Sequence, residues 1–150
     1  MRIVLQRVSR AEVVVEGESV GRIGRGVMVL LGVEADDSDS DVAWLAQKVV
    51  NMRIFDDENG VMNRSVMDVE GEILVVSQFT LHASTRKGNR PSYIRAAKGD
   101  VAEPMYEKFK AEIERLTGRQ PQCGRFGADM KCDLLNDGPV TIMIDTKLKE

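Results

Sequence analysis

The sequence predicts an α+β fold in which a mainly antiparallel, barrel-like β-sheet carries two main helices within a single domain. The order of segments supports this fold, because a β-rich first third is followed by a helix, further strands, a second helix and a final strand. The 150 residues are the size of one ordinary domain and contain no internal repeat or linker. Residues 1–150 are therefore expected to fold as one unit.

Four β-rich segments separated by turns are predicted in the first third of the chain. They are Arg2–Val8, Ala11–Gly17, Glu18–Gly24 and Gly26–Glu34. The continuous apolar run Val27–Leu31 is typical of a central strand that is buried on both faces. Because the connections are short and contain glycine, we expect an antiparallel meander.

Two segments have the apolar spacing of amphipathic helices. The first follows the acidic loop Glu34–Asp41 and is expected to run to about Met52. The second is expected to run from Asp100 to Thr117 and to end at Gly118, since glycine is a common helix C-cap.

The segments between and after the helices complete the predicted sheet. Arg53–Asn63 is predicted to form a short strand and a turn, and Gly71–Leu81 is the strongest strand pattern in the chain. His82–Asp100 lacks periodicity and is predicted to be a long loop. Cys123–Asn136 and Pro139–Asp145 are the last two predicted strands.

Composition limits the class of protein and its location. With 43% hydrophobic and 30% charged residues, the chain is typical of a soluble globular protein. No apolar stretch approaches the roughly 20 residues that a membrane-spanning helix needs, so no membrane partner is predicted. The N-terminal apolar run contains arginines and is no signal peptide, and the expected location is the cytoplasm.

The cysteines and the single histidine limit metal and cofactor chemistry. Cys123 and Cys132 have neither the spacing of a metal or redox pair nor that of a disulfide framework, and both are expected to be reduced structural thiols. Because His82 is the only histidine, a zinc site built on several histidines is excluded. We predict no metal and no cofactor.

The polar residues of Ser77–Leu81 follow a buried strand, where side chains commonly reach ligands. They equally suit the termination of a strand by hydrogen bonds to local backbone, and pattern alone leaves both roles open. Ser77 or Thr80 would need an adjacent base to act as a nucleophile, and His82 is the only imidazole nearby. If the backbone stays extended, Thr80 and His82 share a face, which makes an esterase of small-molecule esters one alternative.

The long loop carries the densest positive charge of the chain, at Arg86, Lys87, Arg90, Arg95 and Lys98. The net charge of −3 lacks the basic balance of nucleic-acid binders, so such a partner has to be held by a local patch. Each cation suits a phosphate contact, and Tyr93 offers a stacking surface for a base. An ordinary solvated loop remains the alternative.

The segment Asn136–Val140, NDGPV, raises a similar question. Asn-Asp-Gly before a strand is typical of a turn, and a proline at the first position of a strand removes only one ladder donor. The residues alone do not decide whether Gly138–Pro139 only turns the chain or is a rigid element for a ligand.

Four motifs in a fixed order connect these features to a known family. They are Val75–Ala83 (VVSQFTLHA), Arg90–Tyr93 (RPSY), Gly124–Met130 (GRFGADM) and Asn136–Thr141 (NDGPVT). Together with the opening strands, they give a resemblance over essentially the whole chain. The sequence resembles the D-aminoacyl-tRNA deacylases, enzymes that remove D-amino acids mischarged onto tRNA.

The resemblance implies a homodimer with a barrel-like α+β fold and names two signature motifs. The first matches Ser77–Leu81, so Ser77, Gln78, Phe79 and Thr80 are the implied catalytic residues. The second matches Gly138–Pro139, whose peptide bond is expected to be cis and to enter the active site of the partner subunit. The implied reaction is hydrolysis of D-aminoacyl-tRNA, and of mischarged glycyl-tRNA as well, without a cofactor.

The implied mechanism relies on the substrate and on backbone groups, since the motifs contain no convincing base. The 2′-hydroxyl of the terminal adenosine assists catalysis, and the amides of Phe79 and Thr80 form an oxyanion hole. Gly138–Pro139 rejects L side chains by steric conflict. We expect Arg86, Lys87 and Arg90 to contact the tRNA. A module that binds tRNA without hydrolysing it is the remaining alternative.

Overall fold

The computed structural model describes residues 1–150 and contains eight strands, two α-helices and one 3₁₀ turn. The strands are β1 (Arg2–Val15), β2 (Glu18–Ile23), β3 (Gly26–Gly32), β4 (Phe55–Asp56), β5 (Met62–Arg64), β6 (Glu72–Ser77), β7 (Gln122–Cys123) and β8 (Lys131–Asp145). The helices are α1 (Asp39–Asn51) and α2 (Gly99–Thr117), and the 3₁₀ turn is Phe79–His82. The predicted α+β class with two helices is confirmed.

The longest pairing in the main sheet joins β1 to β8 in antiparallel orientation. On the other edge of β1, its first half pairs with β3 and its second half pairs with β2, both antiparallel. The prediction of two separate strands within Arg2–Gly17 is therefore wrong, and so is the meander. Strand β1 continues through exposed Ser9 and Arg10 because β8 supports its whole length.

The other half of the main sheet is parallel, since β3 pairs with β6 and β6 pairs with β7 in this orientation. A parallel pair requires a long crossover, and the chain between β3 and β6 supplies it with α1 and the β4–β5 hairpin. The sheet is thus mixed, although antiparallel pairs remain the majority, and it curves into a nearly closed barrel.

The two faces of the sheet carry separate apolar clusters. Alternate residues of β3 separate onto these faces: Val27 and Val29 pack in the cluster that includes both helices, and Met28 packs in the other. Leu45 of α1 and Phe109 of α2 are fully buried against the sheet. Burial of such a side chain contributes roughly 1.5–3 kcal/mol, so this interface fixes both helices on one face.

The predicted turn before the last strand is absent. Strand β8 runs without interruption from Lys131 to Asp145, and its register against β1 shifts around Val8. The side-chain amide of Asn136 donates to the carbonyls of Arg7 and Val140, both at 3.0 Å, and so occupies acceptors at this irregularity. Turn-forming residues here produce a bulge within one strand because β1 pairs with β8 on both sides of it.

Strand β6 is shorter than predicted, because it ends at Ser77 and the 3₁₀ turn follows. The amide of Gln78 still donates to the carbonyl of Leu31 at 2.8 Å, which fixes the start of the turn to the end of β3. Helix α2 ends at Gly118 with φ of 74°, as its predicted C-cap requires. Neither α-helix combines the length and the apolar character needed to cross a bilayer.

Candidate active site

A cavity of about 390 Å³ opens where β6 meets the 3₁₀ turn. Ser77, Gln78 and Phe79 line it at this end, which places three of the four implied catalytic residues together. The other walls come from β3, α2, the segment that precedes β8 and the start of β8 itself. Among these lining residues are Leu31, Ala102, Tyr106, Phe126, Met130 and Cys132.

The Gln78 side chain and the Thr80 hydroxyl are hydrogen-bonded to each other, with the Gln78 amide as donor. Thr80 is half-buried and does not line the cavity. Its hydroxyl therefore supports the Gln78 side chain rather than facing the cavity.

The 3₁₀ turn presents backbone donors beside the cavity. The first internal hydrogen bond of the turn runs from the Leu81 amide to the Gln78 carbonyl at 3.3 Å. The amides of Phe79 and Thr80 precede it and have no acceptor within the turn. Both remain available to a ligand that carries negative charge on oxygen.

His82 lies at the end of the same turn but is completely buried. Neither ring nitrogen has a hydrogen-bond partner, and Nδ1 lies 3.6 Å from Oε1 of Glu34. Burial lowers the pKa of the imidazole, so it is neutral at pH 7. Thr80 and His82 would share a face only in an extended backbone, and here the 3₁₀ turn rotates successive side chains by about 120°, so they do not. A Thr80–His82 esterase therefore lacks its base.

Glu34 is the centre of an ion-pair network beneath the turn. Its Oε1 accepts two hydrogen bonds from Arg95, at 3.1 and 2.8 Å, and its Oε2 accepts one from Lys147 at 3.3 Å. Burial opposes ionisation of Glu34, but the hydrogen bonds from Arg95 and Lys147 and the charge of Lys147 lower its pKa. The carboxylate is therefore ionised at neutral pH although the residue is buried.

Asp36 and Asp37 lie close enough to Glu34 that the three carboxylates resemble a metal-binding cluster. Lys147 contacts all three, and the N-terminal ammonium also pairs with Asp37. With Arg95, the protein supplies three cations for three carboxylates. The cluster is thus neutralised by its own ion pairs and serves to join both chain ends to the end of β3.

The five predicted cations do not form one cluster: three lie together on a hairpin, Arg95 is paired with a carboxylate, and Lys98 is exposed at the N-cap of α2. Arg86, Lys87 and Arg90 are exposed on a hairpin that is closed by reciprocal backbone hydrogen bonds between Ser84 and Ser92, at 2.8 and 2.9 Å. None of these three side chains donates to a protein acceptor. Arg95, in contrast, is held by Glu34 and is not free for a ligand.

Gly138 and Pro139 are exposed on β8, and the peptide bond between them is cis. Arg7 secures this segment, since its Nε donates to the Asp137 carbonyl at 3.1 Å and its Nη1 donates to the Ile54 carbonyl at 2.6 Å. Gly138 has φ of 125°, and a Cβ there would lie 3.0 Å from the Arg7 guanidinium. Only glycine fits without moving the arginine.

Sequence reasoning missed Arg7, although a signal for it exists. The residue is buried at the position where β1 alternates Ile3, Leu5 and Arg7 toward the interior. An arginine in phase with core residues has to find hydrogen-bond partners inside the protein. The same reasoning also missed Tyr106 as a cavity wall, because its apolar helix spacing indicates only packing.

The Ser77–Leu81 motif and Gly138–Pro139 are not brought together within one chain. Arg2 donates to the Leu81 carbonyl at 2.7 Å, whereas Arg7 holds the segment that contains Gly138. These two arginines are separated along β1 by about 17 Å, at about 3.3 Å per residue. Neither Gly138 nor Pro139 lines the cavity beside Ser77.

Comparisons with known proteins agree on one family. A family model described as D-Tyr-tRNA(Tyr) deacylase matches residues 4–145. The chain is 59% identical over 150 residues to a D-aminoacyl-tRNA deacylase of Bacteroides thetaiotaomicron and 53% identical to that of Dechloromonas aromatica, and each alignment covers all of both chains.

Two solved structures share the fold. The c-Myc DNA Unwinding Element Binding Protein superposes with a TM-score of 0.92 at 41% identity, covering 97% of this chain and 98% of the other. A probable eukaryotic D-amino acid tRNA deacylase gives 0.83 at 21% identity, with 95% and 97% covered, and supports the fold alone. From the family match and the full-length relatives, the chain belongs to the D-aminoacyl-tRNA deacylases, hydrolases of aminoacyl-tRNA ester bonds.

Proposed function

We propose that the protein hydrolyses the ester bond of D-aminoacyl-tRNA, releases the D-amino acid and tRNA, and thereby proofreads chirality. The observation that carries this proposal is a cavity with free backbone donors at one end and no poised base in its walls. The cavity accepts the terminal adenosine, which Ser77 and Gln78 position, while the ester lies beside the amides of Phe79 and Thr80.

The ionisable groups of the cavity wall are poor candidates for a general base. Burial raises the pKa of Tyr106, and its hydroxyl donates to the Val75 carbonyl at 3.1 Å. The Cys132 residue is exposed, and partial desolvation of its thiol raises the pKa of that group. Asp129 pairs with Lys131 at 3.2 Å on the surface. The substrate therefore has to supply the proton transfer itself.

The 2′-hydroxyl of the terminal adenosine fills this role. Water attacks the ester carbonyl carbon and passes a proton to the 2′-oxygen, while the 2′-hydroxyl proton moves to the departing 3′-oxygen. The Phe79 and Thr80 amides stabilise the negative charge that develops on the carbonyl oxygen. Rate enhancement then comes from orientation and fixed dipoles. Thr80 remains free of covalent chemistry.

Gly138–Pro139 provides the chirality gate in this proposal. Its backbone carbonyls bind the α-ammonium of the substrate, and with ammonium and ester both fixed, handedness decides where the side chain projects. An L side chain collides with the Gly-Pro backbone, whereas a D side chain or the hydrogen of glycine does not. Mischarged glycyl-tRNA is consequently also a substrate.

A homodimer follows from the separation of the two motifs. Gly138–Pro139 does not line the cavity of its own chain, and Arg7, which holds its segment, lies about 17 Å along β1 from Arg2, which contacts Leu81, so the dipeptide acts in the cavity of a second copy. Leu135 and Met143 flank the dipeptide on β8 with 51% and 68% of their surface exposed. Such apolar surface on an edge strand suits a subunit interface. The proposed location is the cytoplasm, where a tRNA substrate is available.

The test is hydrolysis of D-Tyr-tRNA and L-Tyr-tRNA by the same preparation. We expect release of D-tyrosine and protection of the L-ester, with D-Tyr-tRNA that ends in 2′-deoxyadenosine hydrolysed much more slowly. Equal rates for both enantiomers would contradict the chirality gate, and an unchanged rate for the deoxy substrate would contradict proton relay. Salt-dependent tRNA binding without any turnover would instead identify a binding module.

A further inference from the structure

An exposed aromatic patch, formed by Phe79 and Tyr93, lies beside the cavity. The two rings pack edge to face, with centroids 5.1 Å apart and an interplanar angle of 78°. Phe79 is 57% exposed and Tyr93 is 39% exposed, and the next residue, Ile94, is 92% exposed. Exposed aromatic side chains next to a cavity indicate a surface that binds a partner.

Contacts within the protein hold the Tyr93 side of this patch in position. The amide of Ala96 donates to the Tyr93 carbonyl at 3.0 Å, and Ala96 forms a β-bridge with Glu34. Between them, Arg95 makes its two hydrogen bonds to the buried Glu34 carboxylate. A binding surface that is ordered in advance loses less conformational entropy when its ligand arrives.

Charge indicates the direction in which a nucleic-acid strand leaves the cavity. Phe79 belongs both to the cavity wall and to the aromatic patch, so a strand can pass directly from one to the other. The loop beyond the patch carries the unpaired cations Arg86, Lys87 and Arg90. A phosphodiester backbone is therefore favoured on the side of the patch.

We propose that the aromatic patch is a stacking platform for the unpaired nucleobase that precedes the terminal adenosine of the tRNA substrate. The inference rests on the proposed function, since it places the terminal adenosine in the cavity. An aromatic ring can stack with any nucleobase, because each base has a π-face. The platform thus binds the single-stranded 3′ end without reading its sequence, and it contributes equally to binding of the substrate and of the transition state.

The experiment pairs a variant of the platform with a change in the substrate. KM and kcat are measured for the wild type, Tyr93→Leu and Tyr93→Phe with D-Tyr-tRNA, and with the same tRNA made abasic at the nucleotide before the terminal adenosine. On the intact substrate, Tyr93→Leu is expected to raise KM about tenfold with kcat unchanged. Tyr93→Phe keeps the ring and is expected to keep the wild-type KM.

The abasic substrate isolates stacking from other effects of the substitution. Without the base, Tyr93→Leu and the wild type are expected to have equal KM values. If Tyr93→Leu raises KM by the same factor on both substrates, or on neither, the platform is overturned. The proposed deacylase activity still stands in that case, provided that the wild type hydrolyses D-Tyr-tRNA. If the wild type does not hydrolyse D-Tyr-tRNA, the proposed function fails. The platform is then tested separately by comparing the affinity of the protein for uncharged tRNA with and without the base, and equal affinities would overturn it.

Discussion

At the scale of single residues, His82 illustrates how a polar group can serve packing in this protein. A Cβ on Gly32 would lie 2.9 Å from Cδ2 of His82, so the glycine allows the ring to pack directly against β3. The enclosed ring has no hydrogen-bond partner. Burial keeps its pKa low, and contact with the Gly32 backbone and the charge of the nearby Glu34 carboxylate offset only part of this effect.

This environment makes His82 a source of pH-dependent stability. The unfolded chain protonates His82 near pH 6.5, whereas the folded state does so only at lower pH. Stability is therefore lost as the pH falls below 6.5, by at most about 1.4 kcal/mol per pH unit. Denaturant titrations between about pH 7 and pH 5 are expected to show this slope in the wild type but not in His82→Leu.

Two outcomes would contradict this assignment. An equal slope of stability against pH in His82→Leu would assign the titration to another group. The carboxylates with lowered pKa are not expected to cause it, because their contribution to stability is lost only at still lower pH. Loss of hydrolysis in a folded His82→Leu variant would restore an imidazole base to the mechanism.

At the scale of elements, the hairpin closed by Ser84 and Ser92 concentrates positive charge in a chain whose net charge is −3. Its tip contains Gly88 with φ of 66°, a backbone conformation that favours glycine. The three free cations at this tip are placed beside the aromatic patch rather than paired with carboxylates. They suit electrostatic attraction of the tRNA backbone.

Phosphate contacts by this hairpin predict a change in salt dependence. Arg86→Gln and Lys87→Gln are each expected to weaken tRNA binding and to reduce the slope of log Kd against log salt by about 0.7–0.9. Arg119→Gln, at an exposed arginine after α2 that also lacks an acidic partner, is the matched control and is expected to leave the slope unchanged. Binding titrations at several salt concentrations measure this slope. An equal change in all three variants would show that the weaker tRNA binding results from the change in net charge.

At the scale of the whole molecule, the long pair β1–β8 separates the two signature motifs and makes a second subunit necessary for the proposed reaction. The same strand β8 carries the gate on a surface with exposed apolar residues. In the proposed mechanism assembly and catalysis are linked, because one copy alone does not combine the two motifs in one cavity.

Leu135→Asp tests this link. Since Leu135 is 51% exposed, the charge is expected to leave the fold intact but to dissociate the dimer and abolish chiral hydrolysis. Sedimentation velocity and the D-Tyr-tRNA assay measure the two effects, with Val61→Asp as a control at another apolar side chain, 57% exposed, in the β4–β5 hairpin. A monomeric variant with full activity and full chiral selectivity would exclude the gate in trans.

Local patterns in the amino-acid sequence were enough to predict both helices and the buried strand β3. These features depend on contacts between residues close in sequence, where apolar spacing and capping residues such as Gly118 act directly. The motifs around Ser77 and Gly138 likewise indicated the family before any contact was known.

Long-range packing decided the remaining features. Strand β1 is continuous because β8 supports it, and Asn136–Val140 is a bulge for the same reason. Arg95 is withdrawn from the predicted basic cluster by Glu34, which is 61 positions away, and His82 is turned toward Glu34 instead of Thr80. Pairing partners so far apart leave no periodicity in the chain, because only the folded backbone brings their side chains within bonding distance.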